Sequence, residues 1–372
     1  MSILAQSELK ETFELNIGPQ HPATHGVLRF KVVMDGEYIV KAEPVLGYIH
    51  RMHEKMGENR TWAQFWPNLS RMDYLSAVAY THGYAGLVER ANGIEVPERA
   101  EYLRVIVAEL NRIQSHLLWF GVLVMDIGGF TPLLYAFDDR EQILDLLESV
   151  TGSRLTYCYF RFGGVYNDIS DNFITGTRAF IKRLRKAIPM YHDLVSGNAI
   201  FMERMKDIGA LSPEILRRYG ATGPVLRGSG IQFDIRKNEP YSVYPEFDFN
   251  IPVYDECDSF ARYMVRMDEM LESLRIIEQA LDKLPEGPVM AEKVPKILKP
   301  PKGDYYFAVE AARGTYSMRA VSDGTNQAYR MKIRSPTYSN LSLFEEASSG
   351  MLLADALAFM SSLDLVIPEM DR

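Results

Sequence analysis

GPQHPATHGVLRFKVVMDGEYIVKAEPV, residues 18–45, is the stretch on which the fold turns. Its second half alternates apolar and polar residues. Val27 to Met34 and Glu37 to Val45 flank Asp35-Gly36, a pair that favours the tight two-residue turn of a β-hairpin. Just upstream, Phe13 to Ile17 alternates in the same way. The first half reads as a turn, stiffened by Pro19 and Pro22 and freed by Gly18 and Gly26. It carries two imidazoles, His21 and His25, of the seven in the chain. Imidazole is the side chain that titrates near neutrality, so two of them in one loop at a sheet end point to proton transfer or ligand contact.

From about residue 54 the apolar period lengthens to that of helices. Helices are expected over Tyr74 to Asn92, Pro97 to Met125, Leu133 to Val150 (entered through Thr131-Pro132), Asn172 to Val195 and Phe260 to Leu284. Long helices with short links make a bundle. Gly220 to Asp255 reads as an ordered loop, with Ile231 to Ile235 strand-like, and Leu284 to Lys302, with five prolines, as a connector. Tyr305 to Arg334 alternates again, with turns at Arg313-Gly314 and Asp323-Gly324, and a last helix is expected over about Phe344 to Ser361. The sequence therefore predicts an α+β fold: a small N-terminal antiparallel sheet, a central bundle of long helices, and a C-terminal β element and helix. The corresponding regions are 1–53 with the His loop, 54–285 with an inserted ordered loop at 220–255, and 286–372.

The net charge of −8 offers no basic field for nucleic acid. The two cysteines, Cys158 and Cys257, form no CxxC pair, and two thiolates do not hold an iron–sulfur cluster or a Cys-rich zinc site. The longest apolar run, Leu117 to Met125, is about half of what a bilayer crossing needs. With no secretory signal or transit peptide at the start, a soluble or peripheral protein is expected.

His21 and His25 are four apart, but Pro22 and the glycines break the helix that would aim both at one metal, and no HExxH follows, so no metal is assigned. Tyr74 follows Ser70-Arg71-Met72-Asp73 and is read at a helix start capped by Ser70, with Asp73 near the positive end of the dipole. A phenol there and the His25 imidazole, facing each other, would donate to two carbonyl oxygens of one small ligand. The plainer alternative is a cap and a turn. Asp126 ends a very apolar helix and needs a partner if buried, with His25 as one candidate and a cap on the following helix as the other use. Arg227-Gly228-Ser229-Gly230 lacks GxxxxGK[ST], and no GxGxxG follows a strand, so nucleotide-binding folds are excluded.

The motifs GPQHPATHGVLRF (18–30), LGYIHR (46–51), SRMDYLS (70–76), NRIQSHLLWFG (111–121), LRGSGIQFDIR (226–236), VSDG (321–324) and SLDLVIPEMDR (362–372) closely resemble one family, in order and over nearly the whole chain. It is the D subunit of the NADH:quinone oxidoreductase, respiratory complex I, related to the large subunit of nickel–iron hydrogenases. The resemblance implies a hydrogenase large-subunit-like fold and a quinone-binding subunit of a proton-pumping respiratory enzyme, not active alone. It implies a peripheral place on the cytoplasmic side of a bacterial inner membrane. The partners implied are the cluster-carrying subunit (B), two further peripheral-arm subunits (C and I) and one membrane subunit (H). Quinone (menaquinone or ubiquinone) is then the substrate, the iron–sulfur cluster lies on the adjacent subunit, and this chain alone binds no cofactor.

By position, His25 and Tyr74 match the headgroup-contacting residues of the family, and His21 lies in the same loop. Asp126 matches the carboxylate behind that imidazole, and Arg51 and Arg71 match arginines beside the cluster. Thr156 stands where many members carry a His beside the cluster, which implies a lower and less pH-dependent cluster potential. The cysteine pairs that hold nickel in the hydrogenases align with Asp73 and Ser76 and with Val366 and Glu369, so no nickel–iron centre is expected. Two other roles stay open on sequence: the same subunit in an enzyme fed by ferredoxin or another non-NADH donor, and a scaffold without quinone chemistry.

Overall fold

The computed structural model describes residues 12–21 and 26–372, with His21 described for its backbone only. The chain starts with β1 (Thr12–Ile17), a two-stranded ribbon of β2 (Gln20–His21) and β3 (Gly26–Val27), then β4 (Arg29–Asp35) and β5 (Tyr38–Val45). β4 lies between β1 and β5, antiparallel to both. Phe30, Val32 and Met34 point to one buried face of β4, as the alternation requires.

Next come α1 (His53–Asn59), α2 (Trp62–Leu69), α3 (Ala77–Asn92), α4 (Glu98–Asp126) and α5 (Thr131–Thr151). A short ribbon, β6 (Phe160–Arg161) and β7 (Gly164–Val165), leads to α6 (Asp171–Tyr191). Pro189 removes a backbone donor near the end of α6, and the helix loosens into a π-turn over His192–Ser196. α7 (Ala199–Met205), α8 (Pro213–Tyr219), α9 (Pro224–Arg227) and α10 (Ile235–Asn238) follow, before the long α11 (Ser259–Asp282). The stretch Ile231 to Ile235 is not a strand: the Asp234 carboxylate accepts from the Arg236 N–H at 2.9 Å and opens α10 instead. α4, α5 and α11 pack side by side as the centre of the bundle.

β8 (Gly303–Ala311), β9 (Gly314–Ser322) and β10 (Ala328–Arg334) form a second antiparallel sheet in which β9 is central. α3 lies against this sheet, so sheet and bundle share one core. The chain ends with α12 (Pro336–Ala347), α13 (Leu353–Ser362) and α14 (Ile367–Asp371). The single helix expected over Phe344 to Ser361 is thus two. The break pairs with the edge of β5: Gly350 N–H donates to Ile39 O at 2.7 Å, and Ile39 N–H to Met351 O at 2.8 Å. Gly350 takes the left-handed φ of 83° that the break needs. α12, α13 and α14 therefore build a second core with the buried face of the N-terminal sheet.

The bundle interior also holds charge, and the LRGSGIQFDIR motif supplies much of it. Arg236 reaches Asp234 at 2.7 Å and Glu109 at 3.2 Å, and Arg112 reaches Glu109 at 3.1 Å. Arg227 pairs with Glu310 at 2.8 Å and also with Glu269, which takes His116 Nε2 at 2.9 Å. All of these residues are buried. Burial alone would raise the Glu109 carboxyl, but Arg112 and Arg236, with the hydroxyls of Ser273 and Tyr244, outweigh it and hold Glu109 at about 2. A lowered folded-state value stabilises the fold above the unfolded value near 4.5. That contribution is lost as pH falls from there toward about 2. Melting followed by circular dichroism down to about pH 3 is expected to show Tm falling more steeply below about pH 4.5 in the native protein than in Glu109→Gln, and equal slopes would contradict this.

Candidate functional site

Tyr74 does not open a helix. α2 ends with Ser70 as its C-cap, and α3 begins only at Ala77, so residues 70–76 form a compact turn between them. Asp73 explains the shift. Its carboxylate accepts from the N–H groups of Leu75 and Ser76, at 3.0 Å each, and from Arg313 Nη1 at 2.7 Å. Asp73 is thus committed to holding the turn and a distant cation, rather than to the dipole of a helix starting at Ser70. Asp73 and Arg313 are fully buried, while Tyr74 beside them keeps 38% of its surface exposed. Partial burial raises the proton affinity of the Tyr74 phenol; Arg313 opposes the rise, and Asp73 and Asp364 add to it.

The C-terminal segment 361–372 joins motifs that lie far apart in sequence. Ser361 Oγ donates to Asp126 Oδ2 at 2.6 Å, and the Trp119 indole N–H donates to Ser361 O at 2.8 Å. Asp364 faces Arg313 Nη2 at 3.4 Å, which links the segment to Asp73 and Tyr74. Glu369 Oε1 accepts from Thr337 N–H at 3.1 Å. The Asp371 carboxylate accepts from Gly47 and Ile49 N–H at 3.0 and 2.9 Å, and its carbonyl lies 2.6 Å from His50 Nδ1. The Arg372 carbonyl accepts from His53 N–H at 3.3 Å. Gly26 also meets this segment: a Cβ there would sit 2.8 Å from Ile367 Cγ1. In the β2–β3 ribbon His21 pairs with Gly26.

His25 and the side chain of His21 lie outside the described residues. Of the other sequence-derived residues, Asp126 is half-buried at the end of α4, held by Ser361, and does not cap α5, which is entered through Phe130 and Thr131-Pro132. Arg51 and Arg71 are exposed, and Arg71 donates to Pro67 O at 2.7 Å. Thr156 is half-buried with a left-handed φ of 53°. Among the described residues no hydrogen bond or ion pair links Arg51, Arg71 or Thr156 to Tyr74. Arg313 and Asp364 were not singled out by sequence. Their only signal was position, Arg313 in a turn and Asp364 in the terminal motif. Asp73 and Ser76 both face Arg313, with its Nη1 at 3.4 Å from Ser76 Oγ.

A half-exposed phenol on a turn locked by a buried ion pair is a fixed, accessible proton donor. A carboxylate positioned by Ser361 at the end of α4 is a fixed acceptor. No helix among the described residues is long and apolar enough to cross a membrane.

Comparison with known proteins places these features in a family. The model of the respiratory-chain NADH dehydrogenase 49 Kd subunit matches residues 126–300 and 293–372. The NADH-quinone oxidoreductase D subunit of Desulfotalea psychrophila is 72% identical over 362 residues, covering 97% of each chain. The D 2 subunit of the same enzyme from Opitutus terrae is 64% identical over 97% of this chain and 91% of its own. The D subunit from Clostridium beijerinckii is 46% identical over 97% of this chain and 98% of its own.

Proposed function

The chain belongs to the family of the 49 kDa subunit of respiratory-chain NADH dehydrogenase, the D subunit of bacterial complex I, and from that premise we propose that it forms the quinone headgroup site of such an enzyme. As a complex I subunit it works among other complex I subunits. In the proposed arrangement the partner beside the site is the one that carries the terminal iron–sulfur cluster, and the whole lies at the cytoplasmic face of a bacterial inner membrane, coupled to proton pumping.

Reduction of a quinone to a quinol takes two electrons and two protons. Its carbonyl oxygens become basic as electrons arrive, so proton donors must already be in place. The Tyr74 O–H supplies one proton and the His25 N–H the other. Asp126 sets the imidazole tautomer and stabilises its cation, the part a carboxylate plays behind a catalytic His. Arg313 and Asp73 keep Tyr74 in place through turnover. The observation that supports the reading is the C-terminal segment, which approaches Gly26 at one end of the His loop, holds Asp126 and, through Arg313, joins the Tyr74 turn.

A photoreactive short-tailed quinone, illuminated in the assembled enzyme, is expected to label this chain within residues 70–76 or the His loop, and excess unlabelled quinone is expected to compete. Labelling confined to other subunits would overturn the proposal.

A further inference from the structure

The proposed chemistry gives no part to the Glu369 carboxyl. Glu369, on α14, has none of its surface exposed. Oε1 has the Thr337 N–H, but Oε2 has no hydrogen-bond partner among the described residues. A buried carboxylate with a bare oxygen is costly, and the neutral acid is the cheaper form.

The groups facing Glu369 decide which carboxyl keeps a proton. Asp73 is nearby, but it already has the Arg313 guanidinium and two N–H donors. Asp364 shares that same guanidinium. Arg372 favours ionisation of Glu369, yet it is drawn away by Glu54, at 3.8 Å, and by Ile333 O at 2.9 Å. Burial first, and then Asp73, push the Glu369 carboxyl well above the ordinary range. Further buried polar atoms near Arg313 and Glu369 also lack a hydrogen-bond partner among the described residues: Thr337 Oγ1, Asn340 Oδ1, Asp364 Oδ2 and Arg313 Nε. Asn340 is tied to the Arg313 carbonyl at 3.5 Å. Polar atoms grouped in this way are sites for bridging water.

We infer that Glu369 is the proton store of the site, a positioning residue that holds as a neutral acid the proton that restores Tyr74 after the phenol has given up its own. This rests on the quinone-site reading. The Glu369 O–H bond breaks, the proton passes over bridging water, and an O–H bond forms at the Tyr74 phenolate. No electron moves. Glu369 is left as a carboxylate, a form that Arg372 favours, and it recovers a proton from solvent between turnovers. In water a phenolate is a stronger base than a carboxylate, and burial raises the proton affinity of both groups here.

The test uses the assembled enzyme and three variants. Glu369→Gln is expected to lower kcat for short-tailed quinone on the order of 10-fold, below the effect of a direct donor, with KM little changed. Glu369→Asp is expected to restore most of the rate. Redox-difference infrared spectra of the native enzyme should show a protonated-carboxyl band that changes on quinone reduction. The band should vanish in Glu369→Gln. In Glu369→Asp it should persist but no longer respond to 13C-glutamate labelling, a reading that holds even if the Gln variant fails to assemble. If Tyr74→Phe slows turnover while Glu369→Gln keeps its kcat, or if the band survives in Glu369→Gln, the inference is wrong and the quinone site stands. If Tyr74→Phe has no effect, the quinone-site reading itself has failed.

Discussion

Replacing Tyr74 by Phe in the assembled enzyme is expected to slow reduction of short-tailed quinones by at least on the order of 10²-fold, the lower end of what a positioned general acid contributes. Electron transfer to a hydrophilic acceptor that takes electrons ahead of quinone should be unchanged. The substitution separates chemistry from architecture unusually well. It deletes one oxygen, and among the described residues that oxygen makes no hydrogen bond, while the turn is held by Asp73 and Arg313 rather than by the phenol. The melting temperature should therefore stay where it was. The fall should appear in kcat more than in KM, because the proton is needed only as the carbonyl oxygen becomes basic. A variant with native kcat would remove Tyr74 from the mechanism.

The second large effect is on stability. Arg227→Met is expected to destabilise the chain by about 3–5 kcal/mol, the usual result of removing one partner from a buried ion network. Glu269 would keep His116 as its one hydrogen-bond partner among the described residues, and Glu310 would lose its 2.8 Å contact in a place with no access to water. Combining Arg227→Met with Glu310→Gln should recover part of the loss, since the stranded carboxylate is then neutral. Denaturant unfolding of the single and double variants measures this directly. If the double variant is less stable than Arg227→Met by the full cost of Glu310→Gln alone, the two residues do not interact as described.

The sequence displayed the parts of the fold that obey a local rule. The Asp35-Gly36 turn, the stripe of α11 and the Thr131-Pro132 entry to α5 each follow from neighbours within a few residues, and each is found where expected. The misplacements have distant causes. α3 starts at Ala77 because Asp73 answers to Arg313, and the last long helix is cut because residues near Gly350 pair with β5. Glu109 and Arg112, Glu269, and Arg227 come from separate stretches of the chain, and only long-range pairing buries them together. At the proposed site, motif and chemistry make Tyr74 and Asp126 candidates. Arg313, Asp364 and the tethering role of segment 361–372 were not legible, because nothing within a window of sequence says which turn meets which tail.

The hydrogen bonds from Gly47 and Ile49 to the Asp371 carboxylate join residues 324 and 322 positions apart. Closing a loop of that size is slow to be rewarded, because neither end gains anything until both are already ordered. The helices of the bundle, by contrast, draw on nearby contacts and should form early. The folding order expected from this is the bundle first and the tail last. If the proposed site is the working one, competence would arrive as a final fastening, and an agent that loosens the tail is expected to leave a largely folded protein that no longer engages its substrate.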